Sequence, residues 1–199
     1  MKYKAILADP PWRYQNSGCR GACENHYNTM QYNDIKALPV SQIADQNAVL
    51  FLWCTWPMLV EGIDLINAWG FIYKTGFPWV KIKSVSKDLW GKLEIKVGYG
   101  IGFWVRGATE MVLIGTKGSP APSKHGFIGL LSPNLFHSRK PESLYEYIET
   151  LEGPYLELFA RSKRKDWTSW GNEVETPEDP DLVAILSNQR IQPTQTACG

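Results

Sequence analysis

Residues 6–18 read ILADPPWRYQNSG, an apolar run that ends in an aspartate, two consecutive prolines and a tryptophan. The run begins at Tyr3, and YKAILAD is short and almost continuously apolar, the pattern of a central strand covered on both faces. Pro10 and Pro11 fix their own φ, restrict the residue before each, and remove two backbone donors. The strand therefore stops at Asp9, and the backbone around that one acid is stiff.

Working outward, the same alternation recurs. NDIKALPVSQIA (33–44) reads as a short helix interrupted near Pro39, and NAVLFLWC (47–54) as a second central strand. Pro57 suits the first turn of a helix over 57–70 that Gly70 closes. FIYKTGFPWVK (71–81) is a third strand, with Gly76 and Pro78 marking an edge or a bend. TEMVLIGTKG (109–118) and YLELFAR (155–161) are a fourth and a fifth, and SRKPESLYEYIETL (138–151) has Leu144, Tyr145, Ile148 and Leu151 at helical spacing. Strands alternating with helices predict an α/β fold built on a mostly parallel sheet with helices on both faces. Ligands of such sheets bind beyond the carboxyl ends of the strands, where Asp9 and Arg161 both fall.

Between these elements lie two long polar segments. RYQNSGCRGACENHYNTMQ (13–31) has the composition of a loop that carries function. Residues 82–108 are basic and glycine-rich, read as a lid or a hairpin. The series Gly98, Gly100, Gly102 lacks the spacing of a dinucleotide loop, which excludes a nicotinamide enzyme. Lys81, Lys83, Lys87, Lys92, Lys96 and Arg106 would either follow a phosphate backbone or form a solvated surface. The tail from about Val174 is rich in Pro, Thr and Gln around one apolar patch, LVAIL (182–186). Residues 1–175 are thus expected to form the domain and 176–199 a partly ordered or partner-docking tail.

Bulk properties narrow the class. A chain of 199 residues fits one domain, and 44% hydrophobic with 21% charged residues is the balance of a globular protein. No apolar run reaches the roughly 18 residues of a membrane span, and Asp9 and the prolines spoil a signal peptide, so a cytoplasmic protein is expected. Cys19, Cys23 and His26 lack a convincing fourth ligand, and no metal is expected. A net charge of +1 is unlike a tight nucleic-acid binder, although nine Trp, nine Tyr and seven Phe leave rings to spare for stacking on bases.

Asp9-Pro10-Pro11-Trp12 suits one chemistry well. The exocyclic amine of adenine is a poor nucleophile because its lone pair is delocalised into the ring. Two acceptors on its two N–H groups, the Asp9 carboxylate and the Pro10 carbonyl, would favour the pyramidal form that attacks a carbon. Trp12 would stack on the purine, worth about 1–3 kcal/mol per base. The plainer reading is a strand end with Trp12 in the core.

ADPPW, followed in order by HYNTM, FLW, WVK, KG, SRKP, ELFAR and GNE, resembles the adenine-N6 methyltransferase family of the MT-A seventy-kilodalton type, over about residues 3–173. The resemblance implies a Rossmann-like, S-adenosylmethionine-dependent methyltransferase with circularly permuted motifs, the catalytic strand preceding the cofactor-binding strands. It implies that Asp9, Pro10, Pro11 and Trp12 hold the target adenine, that Asp9 also lies near the cofactor's amino group, and that Tyr27 lines the acceptor pocket. It places Lys140 at the methionine carboxylate, Glu157 and Arg161 beside the cofactor, and Asn172 and Glu173 at ribose and adenine. Lys83, Lys87 and Arg106 complete the expected substrate contacts. GNE and SRKP depart from the family's usual GNQ and SHKP. Bacterial and phage members generally act on DNA and eukaryotic ones mostly on RNA, so DNA is the expected substrate and RNA the alternative. A homodimer or a heteromeric partner is also expected to be possible, as is the rival role of a non-catalytic nucleic-acid-binding subunit.

Overall fold

The computed structural model describes residues 1–13, 29–100, 104–122, 129–133, 140–175 and 179–187. In chain order the elements are β1 (Tyr3–Ala8), α1 (Tyr32–Ala37), α2 (Val40–Ile43), β2 (Ala44–Cys54), α3 (Leu59–Ala68), β3 (Ile72–Lys87), β4 (Leu93–Val97), β5 (Thr109–Lys117), β6 (Leu130–Pro133), α4 (Glu142–Ile148), β7 (Tyr155–Leu158), β8 (Trp167–Trp170) and α5 (Pro180–Ser187). The strands make one eight-stranded sheet in the order β4-β3-β5-β2-β1-β7-β8, with β6 pairing β3 off that path.

The run that ends at Asp9 is central because both its faces are apolar. Ile6 and Ala8 enter one core cluster, while Ala5 and Leu7 enter the other. Strand β2 divides in the same way, with Leu50, Leu52 and Cys54 on one face and Phe51 and Trp53 on the opposite one. Residues of α1, α2, α3 and α5 cover the first face, and Leu144 and Ile148 of α4 the second. Burying each large apolar side chain stabilises the fold by about 1.5–3 kcal/mol, so this two-sided pattern outweighs the weak local preferences of short strands.

Parallel and antiparallel pairings are both present in the sheet, and β6 runs parallel to β3. Strands β2, β1, β7 and β8 are parallel neighbours, with Ala8 beside Leu52 on one side and Leu158 on the other. Strands β2, β5, β3 and β4 are antiparallel neighbours. Among the described residues the sheet is therefore mixed, with four parallel pairings and three antiparallel ones. A parallel return needs a crossover of a dozen or more residues, usually helical, whereas β3 turns straight into β4 at residues 88–92.

Three local features follow from chemistry legible in the chain. Pro57 sits in a 3-10 turn, Trp56–Met58, and the α-helix itself starts at Leu59. Gly70 closes that helix with φ +80°, and the Phe71 N–H donates to the Ile66 carbonyl at 3.0 Å, the six-to-one bond of a Schellman cap. Gly118 has φ +64°, and a Cβ there would stand 2.1 Å from the Gln46 carbonyl oxygen.

The third strand is longer than its sequence suggests, because Gly76 and Pro78 are absorbed within β3 and Pro78 falls one residue before β6 begins to pair. The apolar patch of the tail packs into the core. Leu182 and Leu186 of α5 are fully buried in the first cluster, and Asp179 accepts a hydrogen bond from the Tyr3 hydroxyl at 2.9 Å. Among the described residues, no helix is long and apolar enough to cross a membrane.

Candidate functional site

The carboxyl ends of β1, β7 and β8 open on one edge of the sheet because the three strands are parallel neighbours. Asp9 leaves β1 there, its N–H still donating to the Leu158 carbonyl of β7. Phe159 leaves β7 with φ +64°, a left-handed conformation that a bulky residue rarely adopts, and it lies edge-on to Trp170 of β8. These segments enclose a cavity of about 330 Å³, with Asp9, Lys140, Tyr145, Glu157, Phe159 and Arg161 on its wall.

Asp9 is held by charge. The Lys140 ammonium lies 3.3 Å from its Oδ1 and 2.8 Å from Oε2 of Glu110. Glu110 in turn pairs with Lys81 of β3, so the groups form a file, Asp9–Lys140–Glu110–Lys81. Lys140 also rides over the Trp53 ring at 4.6 Å, and Lys81 over Trp79 at 5.1 Å. Burial pushes the Asp9 carboxyl above the usual range; Lys140 pulls against that shift, and the charge of Glu110 adds to it. Burial also opposes the charges of Lys140 and Glu110. Asp9 and Glu110 nevertheless hold the Lys140 ammonium above its ordinary value, and Lys140 with Lys81 holds Glu110 below its own.

Glu157 forms the second electrostatic element. The Tyr145 hydroxyl donates to its Oε1 at 2.8 Å. Burial raises its carboxyl to about 7 despite that bond, and the nearby Asp9 charge works in the same direction. Tyr145 is fixed from behind by the Arg164 guanidinium, 4.5 Å from its ring centre, and Arg164 is tied to Glu142 and Glu149.

The remaining residues singled out in the sequence are distributed unevenly. The Trp12 ring is buried in the first core cluster with 6% of its surface exposed, and its indole N–H donates to the Trp53 carbonyl at 3.2 Å. The Trp12 N–H donates to the Pro10 carbonyl at 2.8 Å, and the Pro11 carbonyl accepts from Met30, so the tetrapeptide is pinned on both sides. Glu173 approaches Arg161 at 3.9 Å, while Asn172 beside it is exposed. Lys83, Lys87 and Arg106 are exposed on the segment beyond the sheet core, away from the cavity wall. Lys81, grouped with them in the sequence, instead pairs with Glu110. Tyr27, together with Cys19, Cys23 and His26, lies outside the described residues.

Three residues come to the site without having been singled out for it. Glu110 and Tyr145 are ordinary members of an apolar strand and an amphipathic helix, and only tertiary pairing brings them against Lys140 and Glu157. Trp56 is 55% exposed at the end of β2, its indole N–H donating to Thr109 Oγ1 at 2.7 Å beside Glu110. A proline directly after it, forcing a turn at a strand end, was the available signal.

The donor set suits a zwitterionic ligand that also carries an apolar or aromatic part. Lys140 and Arg161 offer cations, Asp9 and Glu157 offer acceptors, and Phe159 offers a ring. The volume is at the lower end of the roughly 300–1,000 Å³ of small-molecule and cofactor sites.

Comparison with known proteins identifies relatives of the whole chain. The MT-A70 family profile matches residues 3–173. The chain is 27% identical to the type II methyltransferase M.MunI of Mycoplasma sp., over 91% of this chain and 84% of that protein. It is 28% identical to the Drosophila melanogaster N(6)-adenosine-methyltransferase MT-A70-like protein, over 92% of this chain and 29% of that one. It is likewise 28% identical to the human N(6)-adenosine-methyltransferase catalytic subunit METTL3, over 92% of this chain and 30% of the relative. The chain therefore spans under a third of the length of those two animal proteins and most of the length of the Mycoplasma one.

Proposed function

Because this chain belongs to the MT-A70 family, we propose that it is an S-adenosylmethionine-dependent methyltransferase acting on the N6 amine of adenine in DNA. The observation that carries the reading is the Asp9 carboxylate, set on the wall of a cavity by a stiff Pro-Pro backbone and held by Lys140. DNA is favoured over RNA because the match to a type II methyltransferase extends over most of that protein's length. We read the motif order as circularly permuted, since the strand that bears Asp9 comes first in the chain.

When bound, S-adenosylmethionine supplies an electrophilic methyl group on a sulfonium sulfur. Lys140 and Arg161 would hold its carboxylate and ribose, Glu157 its cationic portion, and Asn172 and Glu173 the nucleoside end. Asp9 accepts one N–H of the adenine amine and the Pro10 carbonyl, through its second lone pair, accepts the other. Both acceptors orient the nitrogen lone pair outward. Trp12 keeps the tetrapeptide rigid from within the core, and Trp56 supplies an exposed aromatic face just beyond β2. The proton lost from N6 leaves past Asp9, whose raised pKa eases its transient acceptance. Orientation of this kind supplies roughly 7–11 kcal/mol of a barrier. In a duplex the base must first leave the stack, at a cost of about a few kcal/mol.

The test is incubation with methyl-labelled cofactor and unmethylated DNA, in parallel with RNA, followed by nucleoside mass analysis. N6-methyladenine in the DNA and its loss in Asp9→Ala are expected. Lys140 still has Glu110 in that variant, so the fold persists. Product in RNA alone would transfer the reading to RNA, and product at the normal rate from Asp9→Ala would remove Asp9 from the mechanism.

A further inference from the structure

Beyond Ile82, β3 leaves the sheet core and pairs with β4 alone. The Asp88 N–H donates to the Lys92 carbonyl and the Gly91 N–H to the Asp88 carbonyl, both at 3.0 Å, with Gly91 at φ +76°. That is a three-residue loop, a type I turn followed by a left-handed glycine. The Asp88 carboxylate further accepts the N–H groups of Trp90 and Lys92, at 2.9 and 2.8 Å. The loop is thus locked by its own backbone, and the two side chains it presents are Leu89, 100% exposed, and Trp90, 91% exposed. An aqueous loop tip has no reason of stability to carry that pair.

Its surroundings identify a partner. Val85 lies opposite Ile95 and Lys87 opposite Leu93, so one face of the hairpin is apolar and exposed. Around it stand the exposed Lys83, Lys87, Lys92 and Lys96, and farther along the chain Arg106 and Trp104. The acids of this segment are Asp88, whose carboxylate is engaged in the turn, and Glu94. A chain with a net charge of only +1 therefore concentrates an excess of positive charge on one arm. Two copies meeting through this arm would bring lysine against lysine; a polyanion would neutralise them. The arm's base adjoins the catalytic end, because Lys81 of β3 closes the file that runs through Glu110 and Lys140 to Asp9.

We propose that the β3–β4 hairpin is an arm that engages DNA, its lysines on phosphates and its Leu89–Trp90 tip packed against bases of the duplex that carries the target adenine. This rests on the reading of the chain as a DNA methyltransferase. It extends that reading by assigning a contact outside the cavity that holds the cofactor. The tip wedges between bases or stacks on an exposed one along that duplex, away from the cavity that holds the target base.

Fluorescence anisotropy with a labelled adenine-containing DNA duplex, titrated at several salt concentrations, tests the proposal. The full-length Leu89→Ser/Trp90→Ala variant should bind DNA about tenfold more weakly. It should keep the wild-type salt dependence, since apolar contacts release no counterions, and its cofactor affinity by calorimetry should be unchanged. Lys87→Gln/Lys92→Gln should instead lower the slope of log K against log salt by about 0.9 for each phosphate no longer neutralised. Wild-type DNA affinity in the tip variant would overturn the proposal. So would sedimentation showing a wild-type dimer that the tip substitutions dissociate, which would assign the surface to a second copy. Weakened DNA binding in a protein that methylates no DNA would leave the arm standing and remove the catalytic reading. Methylation of DNA with binding indifferent to the tip would do the reverse.

Discussion

The Lys140 ammonium stands 3.3 Å from the carboxylate of Asp9, and Glu110 holds the same nitrogen from the opposite side at 2.8 Å. Each side chain is less than a quarter exposed, so removing the cation takes away the Asp9 carboxylate's ion-pair partner and leaves it facing a Glu110 still paired with Lys81. Lys140→Met is expected to abolish methyl transfer and to cost about 3 kcal/mol of stability, the low end for a broken buried pair. Adding Glu110→Gln removes the like charge that faces Asp9 and should restore part of that loss without restoring activity. Denaturant unfolding of the two single variants and the double one measures the coupling. Additive losses would show that the contacts are unimportant to the fold.

Glu157 makes the site sensitive to pH near neutrality. Its carboxyl is raised to about 7 in the folded protein, from the ordinary glutamate value of 4.5. Between those values the native state keeps a proton that the unfolded chain has lost, so this group's contribution to stability falls as pH rises through that window. Glu157→Gln should lack that decline. A cationic ligand beside Glu157 favours the ionised form, so cofactor affinity should increase as pH rises through about 7 and binding below it should release a proton. Calorimetry in buffers of different ionisation enthalpy counts that proton, and the glutamine variant should release fewer.

Much of this arrangement was legible in the chain, and the reasons are physical. Asp9, Lys140, Glu157 and Arg161 stand at element ends or alternate in a short strand, and the structure brings all four to one cavity. Strand β1 was readable because residues on both its faces are apolar. What escaped was whatever depends on pairing between distant segments. The antiparallel half of the sheet, the sixteen-residue length of β3 and the burial of α5 have no local signature. Glu110 escaped for the same reason, since one acid in TEMVLIGTKG looks like a strand end until Lys81 and Lys140 are placed on either side of it.

Gly171, the first residue of GNE, is constrained by space alone. A Cβ at that position would lie 2.2 Å from the Ala160 carbonyl oxygen and 2.7 Å from its nitrogen, both backbone atoms that cannot rotate away. The Ala160 N–H meanwhile donates to the Trp170 carbonyl at 2.9 Å, so the two segments cannot separate without losing that bond. Gly171→Ala should cost about 1–3 kcal/mol, the range for overpacking. Because the shift moves Arg161 and Glu173 together, cofactor affinity should fall as well. Thermal unfolding and cofactor calorimetry measure the two effects; an unchanged melting temperature would mean that the chain ends of β7 and β8 yield more easily than this contact implies.

Trp56 offers the clearest separation of binding from chemistry. Its ring is 55% exposed just beyond β2, and the bond from its indole N–H to Thr109 fixes the plane without covering it. It touches none of the charged file directly among the described hydrogen bonds and ion pairs, so losing it should leave the reacting groups in place. A ring that stacks on a base is worth about 1–3 kcal/mol, a factor of roughly 5 to 150. Trp56→Ala is therefore expected to raise the KM for DNA within that range with kcat nearly constant, and Trp56→Phe should recover most of the difference. Thr109→Val removes the tether alone and should give a smaller rise. Steady-state kinetics with saturating cofactor distinguishes these outcomes, and a fall in kcat with KM unchanged would place Trp56 in the chemical step instead.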